Sequence, residues 1–447
     1  MTQGEINMSD STTENHRSTR TSFLDRTWSE HWTVMALRPI RPPDVAALRA
    51  DMVEFMASNP DHPLSCNLAA DGRRWLPVAP SERESHIANL IVSGTAVDGV
   101  DDPHALLMEH RPADDAAAPY KVIVGEESII LYFAHVAGDA VVFSPFSVLM
   151  ALGDVEGLRP LRADAGLPTV ARVFAKEFGA HWREWWRHLR SATAPAATGA
   201  TGVVAPRPLV AETTAVGMPL SVEGLNSFKA WRKETCPEIS AAALMASATY
   251  LAFAAEGLPI NRDAFYTLVD LRRHLPKNQA LRPGNLAKSL LVHTDLADPI
   301  RVGDDLRGLV DSARGVPALL SGAVSEALRR SRGHGHGTAP ASAVVTMTFN
   351  SMMRNPGIEH IPWTDPAEAR YLGMSYPIGG DGISVFACAV EGKIDFAASF
   401  NPNVLDRDAV HRALVRLQDM PSLLSNPAGE SAARLRDRFA PIQIQTG

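Results

Sequence analysis

The stretch "YKVIVGEESIILYFAHVAGDAVVFSPFSVLMAL", Tyr120 to Leu152, constrains the fold more than any other part of this chain. Two runs rich in β-branched and aromatic residues flank Gly125 to Ser128, which reads as two strands joined by a turn. A third apolar run, "AVVFSPFSVLMAL", is long enough for a helix despite its proline. Between the second strand and that helix stand His135 and Asp139, with Gly138 permitting a tight turn. Aspartate is rarely buried without a partner, so this carboxylate demands one from elsewhere in the chain. A strand-to-helix junction holds a side chain rigidly while letting it face a cleft, which makes His135 a candidate base. The competing reading is a satisfied core or turn histidine.

Neighbouring segments repeat the mixture of strand and helix. "HWTVMALRPI" has strand composition, and Pro42 and Pro43 open "DVAALRADMVEFMASNP", whose apolar residues recur at helical period. "LPTVARVFAKEFGAHWREWWRHL" is a helix candidate in which Trp182, Trp185 and Trp186 read as packing residues. The Ala-, Thr-, Gly- and Pro-rich stretch that follows reads as a linker or crossover. Beyond it, "VEGLNSFKAWRKE" and Ala241 to Ala255 read as helices, and "AFYTLVDLRR" and "NLAKSLLVHTDL" as strands. A helical stretch precedes the β-rich "ASAVVTMTFNSM". "ISVFACAV" and "KIDFAASF" flank Glu391 and Gly392 as a hairpin, and Asp406 caps a C-terminal helix. The pattern is two mixed α/β lobes: a disordered tail over 1–21, a lobe over 22–192, a crossover over 193–216, a lobe over 217–437 and a tail over 438–447.

Composition narrows the partners. With 447 residues, 45% of them hydrophobic, the chain can bury a real core. A formal net charge of -7 gives no basic face for nucleic acid or an anionic membrane, and points towards small or acylated molecules. The strongest candidate for a membrane segment, Ala241 to Ala255, falls short of the roughly 20 apolar residues that cross a bilayer and reads as a buried helix. Cys66, Cys236 and Cys388 lie too far apart in sequence for a metal motif or a disulfide framework, and fit a reducing cytoplasm. His334 and His336 in "HGHG" lack companion ligands and read as an exposed loop, so no metal is expected. The glycines of "YPIGGDG" lack the strand, turn and helix context of a dinucleotide site.

The spacing His, three residues, Asp is weak by itself, since His110 and Asp114 repeat it in a polar loop. In context, however, "AHVAGDAVVF" resembles the active-site motif of the condensation-domain superfamily. These are CoA- and carrier-protein-dependent acyltransferases related to wax ester synthases, mycobacterial lipid acyltransferases and nonribosomal peptide condensation domains. The second histidine and the aspartate of that motif correspond to His135 and Asp139. Its first histidine and its glycine are replaced by Ala134 and Ala140. "TLVDLRRHLP" with "LRPGNLAKSLLV" resembles the family's arginine and Gly-Asn segment, at Arg272, Gly284 and Asn285. "VVTMTFNSMMRNPG" resembles its strand ending in an asparagine, at Asn350. "MSYPIGGDGISVFACAVEGKIDFAASFNPNVLD" resembles its C-terminal hairpin.

The resemblance implies a two-lobed chloramphenicol acetyltransferase-like α/β fold with mixed sheets and an active-site channel between the lobes. It also implies acyl transfer from a CoA or phosphopantetheine thioester to a hydroxyl or amine of a small-molecule acceptor, in lipid or secondary-metabolite biosynthesis. His135 is then the general base, and Asp139 pairs with Arg272 to hold the site. Backbone amides near Gly138, or Asn350, are candidate oxyanion donors, and Ser375 is a candidate pocket residue. No bound cofactor is expected; the donor is acyl-CoA or a phosphopantetheinyl acyl or peptidyl carrier protein. The protein is expected to be monomeric. Two alternatives stay open: a non-catalytic module that binds a carrier protein, and a cyclase acting on a tethered intermediate.

Overall fold

In the computed structural model, the described residues are 18–29, 31–94, 97–110, 112, 117–162, 167–179, 213–275, 277, 283–313, 315–328, 344–377 and 382–425. Most of the expected crossover, the three tryptophans at 182, 185 and 186, the "HGHG" loop and residues 378–381 of "YPIGGDG" lie outside them. So do both expected tails, apart from 18–21.

Two sheets carry the fold. The N-terminal lobe has five strands in the spatial order Arg370–Ser375, Trp32–Arg38, Ile129–Ala134, Tyr120–Val124 and Ile91–Ser93. Ile129–Ala134 lies at the centre, and all six of its residues are buried. A strand covered on both faces has no reason to alternate, which explains its unbroken apolar run. The turn at Gly125 to Ser128 closes an antiparallel pair, with Tyr120 opposite Phe133. Helix Val45–Ser58 begins at Asp44, whose side chain accepts from the Ala47 amide, and it buries Leu48, Met52, Phe55 and Met56.

The C-terminal lobe has six strands, in the order Ala287–His293, Ala264–Asp270, Met347–Met352, Ile383–Val390, Lys393–Phe400 and Thr214–Leu220. The pair around Glu391 and Gly392 is antiparallel, and Glu391 is held at φ +45°. Helices Val222–Thr235, Ala241–Ala255 and Arg407–Arg416 pack on this sheet, Asp406 capping the last through the Ala409 amide. No described helix is long and apolar enough to cross a membrane.

The lobes are not simple consecutive halves. Strand Arg370–Ser375 leaves the second half of the chain and pairs with Trp32–Arg38, placing Ser375 opposite Thr33. Helix His104–Glu109 in turn places His104 against Gly217 of the C-terminal sheet. The first exchange lies beside the end of Ile129–Ala134 that leads to His135, and the second lies beside Asp395, towards the other end of the sheet.

Candidate active site

Ile129–Ala134 ends at a single 3₁₀ turn, His135–Ala137, and helix Ala140–Leu152 begins at Asp139. The reversal needs a glycine at position 138. Its φ is +154°, and an added Cβ would lie 2.4 Å from Val142 Cγ2. The Gly138 amide donates to the His135 carbonyl at 3.1 Å, so it is engaged within the turn.

Asp139 is 1% exposed and faces away from the imidazole into a ring of donors. Arg272 Nη1 and Nη2 reach its two oxygens at 2.8 and 2.9 Å, in the fork geometry that suits guanidinium and carboxylate. The amides of Val141, Leu286 and Ala287 donate to the same carboxylate at 3.2, 2.8 and 3.1 Å. Arg272, 3% exposed, also donates to the Gly284 carbonyl at 2.7 Å and to Asp270 Oδ1 at 3.1 Å. The pair therefore joins the junction of one lobe to the loop 283–286 of the other and the start of the strand that follows it. It supplies the partner that a buried aspartate requires.

That loop brings Asn285, fully buried, against His135. Asn285 Nδ2 donates at 2.8 Å both to the His135 carbonyl and to Asp25 Oδ1, so both of its N–H groups are used. Its Oδ1 is left facing His135 Nδ1 at 3.3 Å. Nδ1 therefore carries the proton and Nε2 the lone pair. No described residue hydrogen-bonds to Nε2. The ring is 5% exposed, stacked on Trp28 at 4.5 Å between centroids and edged by Phe143 at 5.5 Å. Burial pulls its pKa down to about 4, against the pull of the Asn285 hydrogen bond, so the imidazole is neutral at neutral pH. Asp25 is also buried; burial raises its pKa, against its hydrogen bonds to Ser22 and Asn285.

Asn350 and Ser375 stand on the same inter-lobe surface, without a hydrogen bond to His135. Met347 and Phe349 point into the C-terminal core, so alternation turns Asn350 towards the other lobe; its Oδ1 is buried and has no partner among the described residues. Ser375 Oγ pairs with Ser384 Oγ at 3.0 Å, beside the strand that pairs with Ile129–Ala134. Sequence reasoning found His135, Asp139 and Arg272, but missed Trp28, Asp25 and the role of Asn285. Trp28 and Asp25 sit in "SFLDRTWSEHW", where nothing in the local pattern announces a contact with a residue more than a hundred positions away.

A cleft of about 700 Å³ also opens between the lobes, lined by residues including Arg38, Asp98, Ser221, Arg370, Lys393 and Asp395. It lies at the far end of Trp32–Arg38, roughly 20 Å along the strand from the His135 end. None of the residues around His135 lines it.

No family model and no curated protein matches the sequence. Solved structures do match over nearly the whole chain. The TRI3 trichothecene 15-O-acetyltransferase from Fusarium sporotrichioides aligns with a TM-score of 0.57 at 11% identity, over 91% of this chain and 95% of that one. The first condensation domain of the calcium-dependent antibiotic synthetase, in complex with a substrate analogue, aligns at 0.54 and 16% identity, over 93% and 99%. The epimerization domain from the third module of tyrocidine synthetase B aligns at 0.52 and 12%, over 92% and 94%. The chain thus shares the two-lobed α/β fold of these acetyltransferase, condensation-domain and epimerization-domain structures, the fold that the sequence resemblance implied. Acetyl transfer, condensation and epimerization all appear among the names of these neighbours, so the fold by itself does not select a reaction.

Proposed function

We propose that this protein is an acyltransferase that moves an acyl group from a CoA or phosphopantetheine thioester to a hydroxyl or amine, with His135 as general base. The observation that carries this reading is the state of the imidazole: neutral, its Nδ1 committed to Asn285, and its Nε2 lone pair without a hydrogen-bond partner among the described residues. Nε2 takes the acceptor's proton as that atom attacks the thioester carbonyl, then returns it to the departing thiolate. Transfer is direct, without an acyl-enzyme. Burial pushes Cys66 up to about 12 and Cys236 up to about 11, and raises Cys388 still further, so all three remain weakly nucleophilic thiols. Asp139 and Arg272 hold the turn and do not touch the reacting atoms. Asn350 and Ser375 line the acceptor or donor path, and Asn350 is a candidate oxyanion contact.

A second reading, a non-catalytic carrier-binding module, draws on Ala134 in place of the motif's first histidine and on the near-complete burial of His135. The two separate on one experiment: mass-resolved product formation from mixed acyl-CoA and acyl-carrier donors with a panel of alcohols and amines. An acylated product from wild type and none from a folded His135→Ala variant is the expected result. The acid limb of kcat/KM is expected near pH 4, well below the ordinary histidine value. Equal turnover by the two proteins would remove His135 as the base, and failure of every donor with wild type would favour the binding module.

A further inference from the structure

Trp28 covers the face of the proposed base, yet its own polar group is unused. The residue is 7% exposed, and its indole Nε1 is buried without a hydrogen-bond partner among the described residues. Leaving a buried donor unpaired is costly, and a ligand that brings an acceptor to it would remove that cost.

The placement of the ring is tightly determined. The Trp28 amide donates to the Asp25 carbonyl at 3.0 Å, ending the turn that follows helix Phe23–Arg26. The Asp25 carboxylate accepts from Ser22 Oγ at 2.5 Å and from Asn285 Nδ2 at 2.8 Å, and Asn285 is bonded to His135 on both its carbonyl and its ring. The His31 ring meets the indole edge-on at 5.2 Å, while the His31 carbonyl accepts from the His135 amide at 2.8 Å. Indole and imidazole are consequently held 4.5 Å apart and within 19° of parallel. A catalytic donor must lie about 3 Å from the oxygen on which charge develops, and a base about 3 Å from the attacking atom. A carbonyl group bound against both rings meets both conditions where the indole N–H and the imidazole Nε2 face the same side of the stack.

We propose that Trp28 is a catalytic residue whose indole N–H donates to the thioester carbonyl oxygen and to the oxyanion it becomes. The proposal rests on the acyltransferase reading above. As the acceptor oxygen or nitrogen bonds to the carbonyl carbon, its proton passes to His135 Nε2 and the carbonyl π pair moves onto the oxygen held by Trp28. Collapse re-forms the carbonyl, breaks the carbon–sulfur bond and sends that pair to sulfur, which takes the proton back from the imidazolium. The products are the ester or amide and the free thiol. An indole N–H suits the role because it donates without titrating in the working range.

The test uses wild-type protein labelled with ¹⁵N-tryptophan, the Trp28 indole signal among the eight tryptophans being assigned by its loss in Trp28→Phe. The probes are S-(2-oxopropyl)-CoA and S-(2-oxopropyl)-pantetheine, whose ketones cannot be transferred, with the propyl thioethers that lack the carbonyl as controls. A downfield displacement of the Trp28 indole proton by a ketone probe, absent with its thioether control, is expected. No displacement at saturating concentrations of either ketone overturns the proposal, whether or not the protein transfers acyl groups. With an active donor and acceptor, Trp28→Phe keeps the stacked ring and is expected to lower kcat about 10²–10³-fold with little change in KM. A Trp28→Phe enzyme of wild-type kcat would also overturn it, while leaving His135 as base. Displacement without any transfer by wild type would retain Trp28 as a carbonyl ligand and remove the acyltransferase reading.

Discussion

Asp139 and Arg272 are separated by 133 positions and meet in a bidentate contact, each at most 3% exposed. Removing one member of such a pair strands the other charge in the interior. Asp139→Ala and Arg272→Met are each expected to lower stability by about 3–5 kcal/mol. Because both singles break the same contact, the double variant should fall short of their sum, and a urea-unfolding cycle over the four proteins measures the difference. Additive losses would show that the backbone amides on Asp139, rather than the guanidinium, dominate. The need for a partner was legible in the sequence, since a carboxylate between two apolar runs must be compensated. Asp25 left no comparable signal: a four-residue helix in polar surroundings does not disclose that it will be buried against Asn285.

The junction of strand Ile129–Ala134 with helix Ala140–Leu152 depends on one backbone conformation. At Gly138 a side chain meets both an unfavourable φ and Val142, whereas Gly392 has a φ of +73° and no atom within 4 Å of an added Cβ. Gly392→Ala is expected to carry backbone strain alone, of about 1–2 kcal/mol, and Gly138→Ala that strain plus the displacement of a packed valine. Unfolding midpoints of the two variants check this; equal losses would mean that the helix start yields without resistance. Elements with a clear period or capping residue were legible in the sequence, among them Val45–Ser58, Arg407–Arg416 and the hairpin across Glu391 and Gly392. Helices Arg83–Leu90 and His104–Glu109 were not, because short segments of mixed polarity acquire their helicity from packing rather than pattern.

Across the molecule, His104 acts as a second junction between the lobes. Its fully buried ring reaches Asp102 from Nδ1 at 2.8 Å and Asp395 from Nε2 at 3.0 Å. Arg370 binds the far oxygen of Asp395, and Arg407 that of Asp102. Burial alone would lower the pKa of His104, but the hydrogen bonds to Asp102 and Asp395 outweigh it, and the net shift is upward. A histidine raised on folding contributes stability that is fully present below its ordinary pKa of about 6.5 and is lost as pH rises through the folded value. His104→Gln is therefore expected to destabilise the protein more at pH 6 than at pH 9, as read from urea unfolding at the two values. A pH-independent loss would mean that the ring is neutral and only fills space. Gly217 belongs to the same contact, because a Cβ there would lie 1.8 Å from the His104 ring.

The strongly patterned strands and helices, the apolar strand closing on His135 and the need of Asp139 for a partner were all determined by the sequence, since period, turn chemistry and the cost of burying charge act locally. Tertiary structure alone decided which nitrogen of His135 holds its proton, which aromatic ring lies on its face and how Arg370–Ser375 crosses to the other lobe's sheet. Each of those depends on contacts between residues far apart in the chain, whose distances follow from the packing of two lobes and leave no periodic trace in either partner.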